Sequence, residues 1–186
     1  MNKKVYTLAL LIGAIWFVSV VNILMGSPLN QYGIRPRSIS GLPGVILWPF
    51  LHGGFWHLIS NTVPLLVLGG FVLVRSQRLF FQVTIFCVLG GGVGVWLFGR
   101  GSTHIGASGL VFGYFGYLVA RGYYDRSPRS VLIAVAVTLF YGGMIWGVLP
   151  ANPYISWEGH LFGMLAGVLF AKIWGRPKGN EAFTNN

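Results

Sequence analysis

The sequence predicts an all-α membrane protein in which six apolar segments cross the bilayer as a helical bundle. Only 9% of the residues are charged and 54% are hydrophobic, whereas a soluble domain carries about 25% charged residues. The apolar residues are also gathered into long runs, most of them close to the roughly 20 residues that a spanning helix needs. Lipid is therefore expected to be the solvent for most of the chain, in agreement with a mean hydropathy of +0.69.

The predicted spans follow one another with short connections, except after the first. They run approximately over residues 5–25, 55–74, 79–98, 105–120, 131–149 and 157–174. The first follows Lys3 and Lys4 as a signal peptide would, but it has the length of a full span and lacks a small-residue cleavage pattern. The fourth is the shortest and follows the polar stretch 99–103, so we expect it to begin below the membrane surface beside a wet cavity.

The remaining parts of the chain predict no second domain. The connection between Gly26 and Phe50 contains four prolines, so a long regular helix is not expected there. Aromatic residues at its end favour the membrane–water interface; they are Trp48, Phe50, Phe55 and Trp56. We expect one membrane domain over residues 1–186, with a short polar tail over residues 175–186.

The distribution of basic residues predicts the orientation of the bundle. With a cytoplasmic N-terminus, ten lysines and arginines fall in inside segments and three fall outside, namely Arg35, Arg37 and Arg100. Such an excess marks the cytoplasmic side, so both termini are predicted to be cytoplasmic. The net charge of +10 is better explained by anionic lipid headgroups than by nucleic acid, because the basic residues are scattered between apolar runs.

The predicted topology places several polar side chains at a similar depth. The second, fourth and sixth segments all run from outside to inside, and their first turns carry His57, Asn61, Ser108 and His160. Polar side chains inside a bilayer are costly and mark functional sites by default. This convergence makes the outer part of the bundle the candidate site.

Glycine spacing predicts close packing beside two of these residues. Gly109 and Gly113 lie four apart on the fourth segment, and the sixth carries glycines at the same spacing, at positions 159, 163 and 167. Small residues at this spacing allow helix backbones to approach closely. We therefore expect the Ser108 hydroxyl to lie within hydrogen-bonding distance of the His160 imidazole, the minimum for an activated serine nucleophile.

A carboxylate that would complete a catalytic triad is not expected. Asp125 falls at the cytoplasmic end, and Glu181 lies in the tail. Glu158 is two residues before His160, so on a helix it points to a different face. A serine–histidine dyad is therefore predicted.

Donors for a negatively charged oxygen are expected at the same depth. Backbone N–H groups at the start of the fourth helix have no partner within the helix and lie at its positive dipole end, beside Ser108. Asn61 and His57 lie one turn apart on the second helix and can donate from the other side. Together these groups are candidates for an oxyanion hole.

Three motifs resemble those of rhomboid proteases and occur in that family's order. Gly106–Gly109 (GASG) resembles the GxSG motif around the nucleophile. His52–Asn61 (HGGFWHLISN) resembles the second-helix motif that ends in HxxxN, and Gly159–Gly167 (GHLFGMLAG) resembles the sixth-helix motif. The six segments match the minimal form of the family, so the resemblance covers nearly the whole chain and implies a bundle of rhomboid type.

The resemblance implies an intramembrane serine endopeptidase that cleaves in or near the outer end of a substrate's transmembrane helix, with no metal, ATP or other cofactor. By position, it implies Ser108 as nucleophile and His160 as general base. Asn61, His57 and the Ser108 backbone N–H would bind the oxyanion, and Gly106 belongs to the same oxyanion and substrate-binding group. The implied partners are a transmembrane protein substrate and a lipid bilayer, in a multi-pass position in a bacterial plasma membrane.

Other residues near the candidate site are given supporting or no roles. Phe112 stands where members of the family often carry a tyrosine that packs on the histidine, so it can stack but cannot hydrogen-bond. His52 is expected to cap or brace a loop, and His104 to be a wet loop residue without a role. Glu158 either reaches the outer surface or bonds to a loop; the sequence leaves both open.

Two rival interpretations remain at this stage. The outer histidines together with Glu158 could form a metal site, although the helical HExxH spacing of zinc proteases is missing. A non-catalytic rhomboid-like protein that binds transmembrane clients is the second alternative. Such relatives typically lack the serine or the histidine, and this chain has both.

Overall fold

The computed structural model describes residues 3–174, and the regular structure within them is helical. The helices are α1 (Lys3–Leu24), α2 (Gly44–Leu47), α3 (Phe55–Arg75), α4 (Gln77–Phe98), α5 (Ser108–Asp125), α6 (Pro128–Tyr141) and α7 (Trp157–Trp174). Short 3-10 helices cover Pro28–Tyr32, Ile39–Gly41, Trp48–Phe50 and Gly142–Val148. The predicted all-α class is confirmed for these residues, while the predicted tail, with Glu181, lies outside them.

The helix boundaries follow the predicted segments except around α5 and α6. Gly106 has a φ of +117°, which is not helical, so α5 begins at residue 108 and not at 105. Ser127 accepts a hydrogen bond from the N–H of Ser130, and Pro128 occupies the first turn of α6. This cap starts α6 at residue 128 and not at 131, because its first N–H groups are satisfied there.

Within residues 3–174, four helical stretches are long and apolar enough to cross a membrane: α1, α3, α4, and α6 together with the 3-10 helix after it. α5 packs against α3, α4, α6 and α7, and most of its side chains are buried. Because protein and not lipid surrounds α5, it accommodates glycines and polar groups that lower its apolar character.

The close packing predicted from glycine spacing is confirmed between α5 and α7, which form the most extensive helix contact in the described chain. A Cβ atom at Gly163 would collide with the carbonyl oxygen of Gly109, and one at Gly167 would collide with that of Gly113. Only hydrogen side chains at these positions let the two backbones touch. The contact runs directly inward from Ser108 and His160.

The long connection before α3 folds into short turns, as its prolines predict. The Trp48 side chain is 1% exposed and fills the space over Gly109, while its Nε1 donates to the carbonyl of Val88 at 3.3 Å. The glycines of α5 leave room for this indole, and the interfacial depth predicted for the end of the connection stays a prediction. Trp56, in contrast, is 83% exposed.

The helices alternate in direction, which gives the bundle two different ends. α3, α5 and α7 begin at the end that contains a large cavity, and we call this the cavity end. The opposite end carries a cluster of arginines around Asp125, and we call it the basic end; the arginines are Arg75, Arg121, Arg126 and Arg129. The Arg75 guanidinium and the Asp125 carboxylate are 2.8 Å apart there.

Candidate active site

A cavity of about 690 Å³ contains the polar residues that the sequence predicts to converge. Its walls come from the first turns of α3, α5 and α7, from the loop that leads into α5 (residues 99–107, the lead-in loop), and from the end of α6. His57, Asn61, Ser108 and His160 all line it. Ser108 and His160, 52 positions apart in sequence, therefore line one cavity.

Ser108 and His160 are hydrogen-bonded to each other. The Oγ of Ser108 lies 2.9 Å from Nε2 of His160, and Nδ1 of His160 lies 2.8 Å from the carbonyl oxygen of Gly147. A carbonyl only accepts, so Nδ1 carries the ring proton and Nε2 is left as the acceptor for the serine hydroxyl. This is the tautomer that a general base requires.

The plane of the His160 ring is fixed by Phe112. The two rings stack with centroids 4.1 Å apart and planes within 5°. Both side chains are buried, His160 being 9% exposed and Phe112 5%. A stacking contact and a hydrogen bond at Nδ1 together leave the imidazole little freedom to turn away from Ser108.

The lead-in loop presents Ser108 at the first position of α5. Gly106 donates its N–H to the carbonyl of Trp48 at 2.8 Å and adopts a φ of +117°, a region that favours glycine. A Cβ atom at Gly106 would also lie only 2.7 Å from Nε2 of His57. The glycine of the GxSG motif is therefore required both by backbone conformation and by the space beside His57.

His52 braces the lead-in loop from the opposite side. Its Nε2 accepts from the N–H of Ala107 at 3.3 Å, so Nδ1 carries the proton and donates to the Oγ of Ser19 at 2.9 Å. The Ser19 hydroxyl in turn donates to the carbonyl of Phe50 at 3.0 Å. Burial, with a smaller contribution from His57, lowers the pKa of His52 to about 3, so this ring is neutral. Sequence reasoning missed Ser19, whose signal is a hydroxyl within an apolar run of the first segment.

The candidate oxyanion donors lie on the far side of Ser108. Nδ1 of His57 accepts from the N–H of Gly53 at 3.4 Å, which leaves the proton on Nε2, the atom nearest to Gly106. Asn61 donates one amide hydrogen to the carbonyl of His57 at 2.8 Å, and its second amide hydrogen is available to a ligand. Both groups can donate into the cavity beside the start of α5.

The surroundings of two further residues near the site, His104 and Glu158, are defined by the structure. His104 is 1% exposed, so its predicted place as a wet loop residue is wrong; a backbone bridge to Ile34 draws it inward. Glu158 is also 1% exposed and contacts Arg100, which decides between its two alternatives in favour of a loop contact. Among residues 3–174, no three histidine, cysteine or carboxylate side chains come together in a way that could hold a metal ion.

Comparison with known proteins adds a family match over most of the chain. A family model described as Rhomboid domain matches residues 41–177. An uncharacterized protein of Mycobacterium tuberculosis is 38% identical over 181 residues, covering 92% of this chain and 75% of that protein; one of Mycobacterium leprae is 34% identical over 181 residues, covering 92% and 72%. RHOMBOID-like protein 4 of Arabidopsis thaliana is 30% identical over 132 residues, which cover 67% of this chain and 32% of the plant protein. The matched range includes Asn61, Ser108 and His160.

Proposed function

This chain belongs to the rhomboid family and is a multi-pass membrane protein, and on that premise we propose that it is an intramembrane serine endopeptidase with Ser108 as nucleophile and His160 as general base. One observation carries the proposal. The Ser108 hydroxyl lies 2.9 Å from an imidazole nitrogen whose tautomer is set by Gly147, within a cavity large enough for a peptide segment.

The chemistry follows from the dyad. Nε2 of His160 takes the proton of the Ser108 hydroxyl as its oxygen attacks the substrate carbonyl carbon. The resulting imidazolium donates from Nδ1 to the Gly147 carbonyl, which occupies the place that a carboxylate has in a triad. His160 then gives its proton to the leaving amine, and a water molecule hydrolyses the acyl-enzyme by the same steps in reverse.

The negative oxygen of the tetrahedral intermediate would be bound from two directions. The N–H of Ser108 and the helix dipole of α5 act from one side, and Nε2–H of His57 and the free amide hydrogen of Asn61 act from the other. Gly106 keeps this space open because it carries no side chain. The donors are held by backbone contacts, so they need little reorganisation when charge develops.

The proposed topology has six membrane spans in one domain, with both termini in the cytoplasm. α1 is the first span, α5 is the one that the others enclose, and α7 packs against α5 and α4. The excess of basic residues at the basic end supports its cytoplasmic position in a bacterial plasma membrane. The cavity end then faces outward, and the scissile bond must reach the depth of Ser108.

The proposed substrate is a protein with a transmembrane helix that unwinds near its outer end. A helix hides its carbonyls in intrahelical hydrogen bonds, so glycine or proline near the cut makes local unwinding easier. The bulk of Phe112, which stacks on His160 in the cavity wall, favours a small residue just before the scissile bond. Mass spectrometry of the products from a single-span model substrate would locate the cut, and a cut at the cytoplasmic end would contradict this assignment.

The decisive experiment is covalent labelling with a serine-reactive phosphonate in detergent or liposomes. We expect a single adduct on the peptide that contains Ser108, none in Ser108→Ala protein, and unchanged labelling after treatment with a chelator. Absence of both labelling and cleavage in folded protein would overturn the proposal and favour a non-catalytic protein that binds transmembrane clients. Loss of activity on chelation would favour a metal site.

A further inference from the structure

Glu158 is a buried carboxylate that the proposed dyad does not use. It lies in the first turn of α7, two residues before His160, and is 1% exposed. Its Oε1 accepts from the backbone N–H of Arg100 at 3.2 Å and lies 3.5 Å from Nε of the same residue. Its Oε2 has no hydrogen-bond partner among residues 3–174. Burial of a carboxylate is costly unless a partner compensates it, so Arg100 is a requirement for this arrangement.

Arg100 connects two segments that carry the two members of the dyad. It is the second residue of the lead-in loop, which ends at Ser108, and its guanidinium reaches across to the start of α7. Besides the contact with Glu158, its Nη2 donates to the carbonyl of Ile155 at 2.5 Å. The Arg100 side chain therefore joins the lead-in loop to the start of α7 by contacts with the Glu158 carboxylate and the Ile155 carbonyl.

His104 provides a second connection between the same two segments. The Oγ of Ser156 accepts from the N–H of Gly159 at 3.2 Å, and its own hydrogen is free for Nδ1 of His104, 2.7 Å away. Nε2–H of His104 donates to the carbonyl of Arg100 at 3.1 Å. Burial lowers the pKa of His104, which keeps this ring neutral and the bond pattern unchanged near pH 7.

We propose that the Arg100–Glu158 salt bridge positions the dyad by fixing the first turn of α7 against the lead-in loop. The glycine contacts between α5 and α7 set the separation of the two helix axes deeper in the bundle. These contacts extend to Gly109 and Gly159, next to Ser108 and His160, whereas the lead-in loop before Ser108 is held to the start of α7 by the Arg100 and His104 contacts. Misplacement of reacting groups by about 1 Å can lower a rate about a hundredfold, so a tie at this position acts on turnover more than on substrate binding.

The test rests on the proposed function and uses neutral substitutions in the whole 186-residue chain. Glu158→Gln keeps an acceptor for the Arg100 N–H but removes the charge, and Arg100→Gln leaves Glu158 buried without a cation. We expect kcat to fall about tenfold in Glu158→Gln and about a hundredfold in Arg100→Gln, with KM within about twofold of the parent. The double variant, which has no buried charge at this place, should recover several-fold over Arg100→Gln alone.

Arg37→Gln is the matched control. Arg37 is an arginine at the same end, but its guanidinium donates to the carbonyls of Leu97 and Gly99, and within residues 3–174 it forms no hydrogen bond or salt bridge with α7. Its kcat should stay at the parental value. Thermal unfolding of each variant in detergent sets the assay temperature, so that all proteins compared are folded; if Arg100→Gln does not fold, the double variant carries the comparison.

Each outcome has a distinct meaning. Parental kcat in folded Glu158→Gln and in the folded double variant, with only a lower unfolding temperature, would overturn the positioning role while leaving the endopeptidase intact. Equal losses of kcat in Arg37→Gln would also overturn it. Failure of the unmodified protein to label at Ser108 would instead overturn the proposed function, and the coupling between Arg100 and Glu158 would then be measurable in unfolding temperature alone.

Discussion

Both ends of the helical bundle carry polar side chains, but these side chains differ in burial and charge between the two ends. At the cavity end, the polar side chains are buried and mostly neutral: burial lowers the pKa values of His52 and His104, and the one buried carboxylate, Glu158, is paired with Arg100. At the basic end, arginines surround Asp125, and the Arg75 side chain is 34% exposed. The cavity end contains neutral imidazoles that can accept a proton, and the basic end contains arginines that cannot.

The difference shows why chemistry and orientation are assigned to opposite ends. A neutral imidazole can accept a proton from a hydroxyl, whereas an arginine stays charged at every accessible pH and cannot act as a base. A permanent charge is, however, what the membrane insertion machinery and anionic headgroups respond to. Substitutions of the same kind at the two ends should therefore give different results.

The largest contrast is expected between two serines, the partly buried Ser108 and the buried Ser130. Ser108→Ala at the cavity end should abolish cleavage and phosphonate labelling, because within residues 3–174 no other hydroxyl is hydrogen-bonded to His160. Ser130→Ala at the basic end removes a hydrogen bond from Arg75 and should lower stability by about 1 kcal/mol with turnover retained. Turnover and thermal unfolding of both variants, measured side by side, would make this comparison; residual cleavage by pure Ser108→Ala protein would refute the assigned nucleophile.

A smaller loss is expected within α3. Asn61→Ala should lower kcat by about 10²-fold, a typical cost for one oxyanion donor, with KM little changed. Thr62→Val is the control, because the Thr62 hydroxyl bonds to Leu58 and Trp16 and does not line the cavity. Steady-state kinetics on one substrate would separate the two, and parental turnover in Asn61→Ala would exclude this residue as a donor.

Loss of a cation at the basic end should have a minor effect. Arg75→Gln breaks the contact with Asp125, but both groups reach solvent, so the expected destabilisation is less than about 1 kcal/mol. Turnover in the folded protein should equal that of the parent. A tenfold or larger drop in turnover would mean that the basic end influences catalysis at the cavity end.

Tags should disturb the protein least and test the orientation of both ends. A reporter fused after Asn186 is expected to be cytoplasmic, and a tag inserted between Pro36 and Pro43 is expected to react with membrane-impermeant reagents from outside. Accessibility in intact cells and in inverted vesicles would give the answer. External exposure of the C-terminal reporter would place the basic end outside and invert the proposed depth of Ser108.

Much of the candidate site follows from local sequence signals. Apolar runs predict helices, the basic residues predict their direction, and the first turns of alternate helices then share a depth. Glycines at a spacing of four predict which two helices touch, and this brings Ser108 to His160. These inferences need only the period of a helix and the polarity of its surroundings, both of which can be inferred from short stretches of sequence.

The partners that orient the site were decided by tertiary structure alone. The Gly147 carbonyl that sets the tautomer of His160 belongs to a 3-10 helix where the sequence predicts a continuous α-helix. Trp48 is buried over Gly109, and Glu158 meets Arg100 across 58 positions of sequence. A backbone carbonyl has no sequence signature, and the choice of a long-range partner depends on how whole helices and loops pack. Hydropathy and spacing could therefore name the reacting groups, but not the contacts that hold them in place.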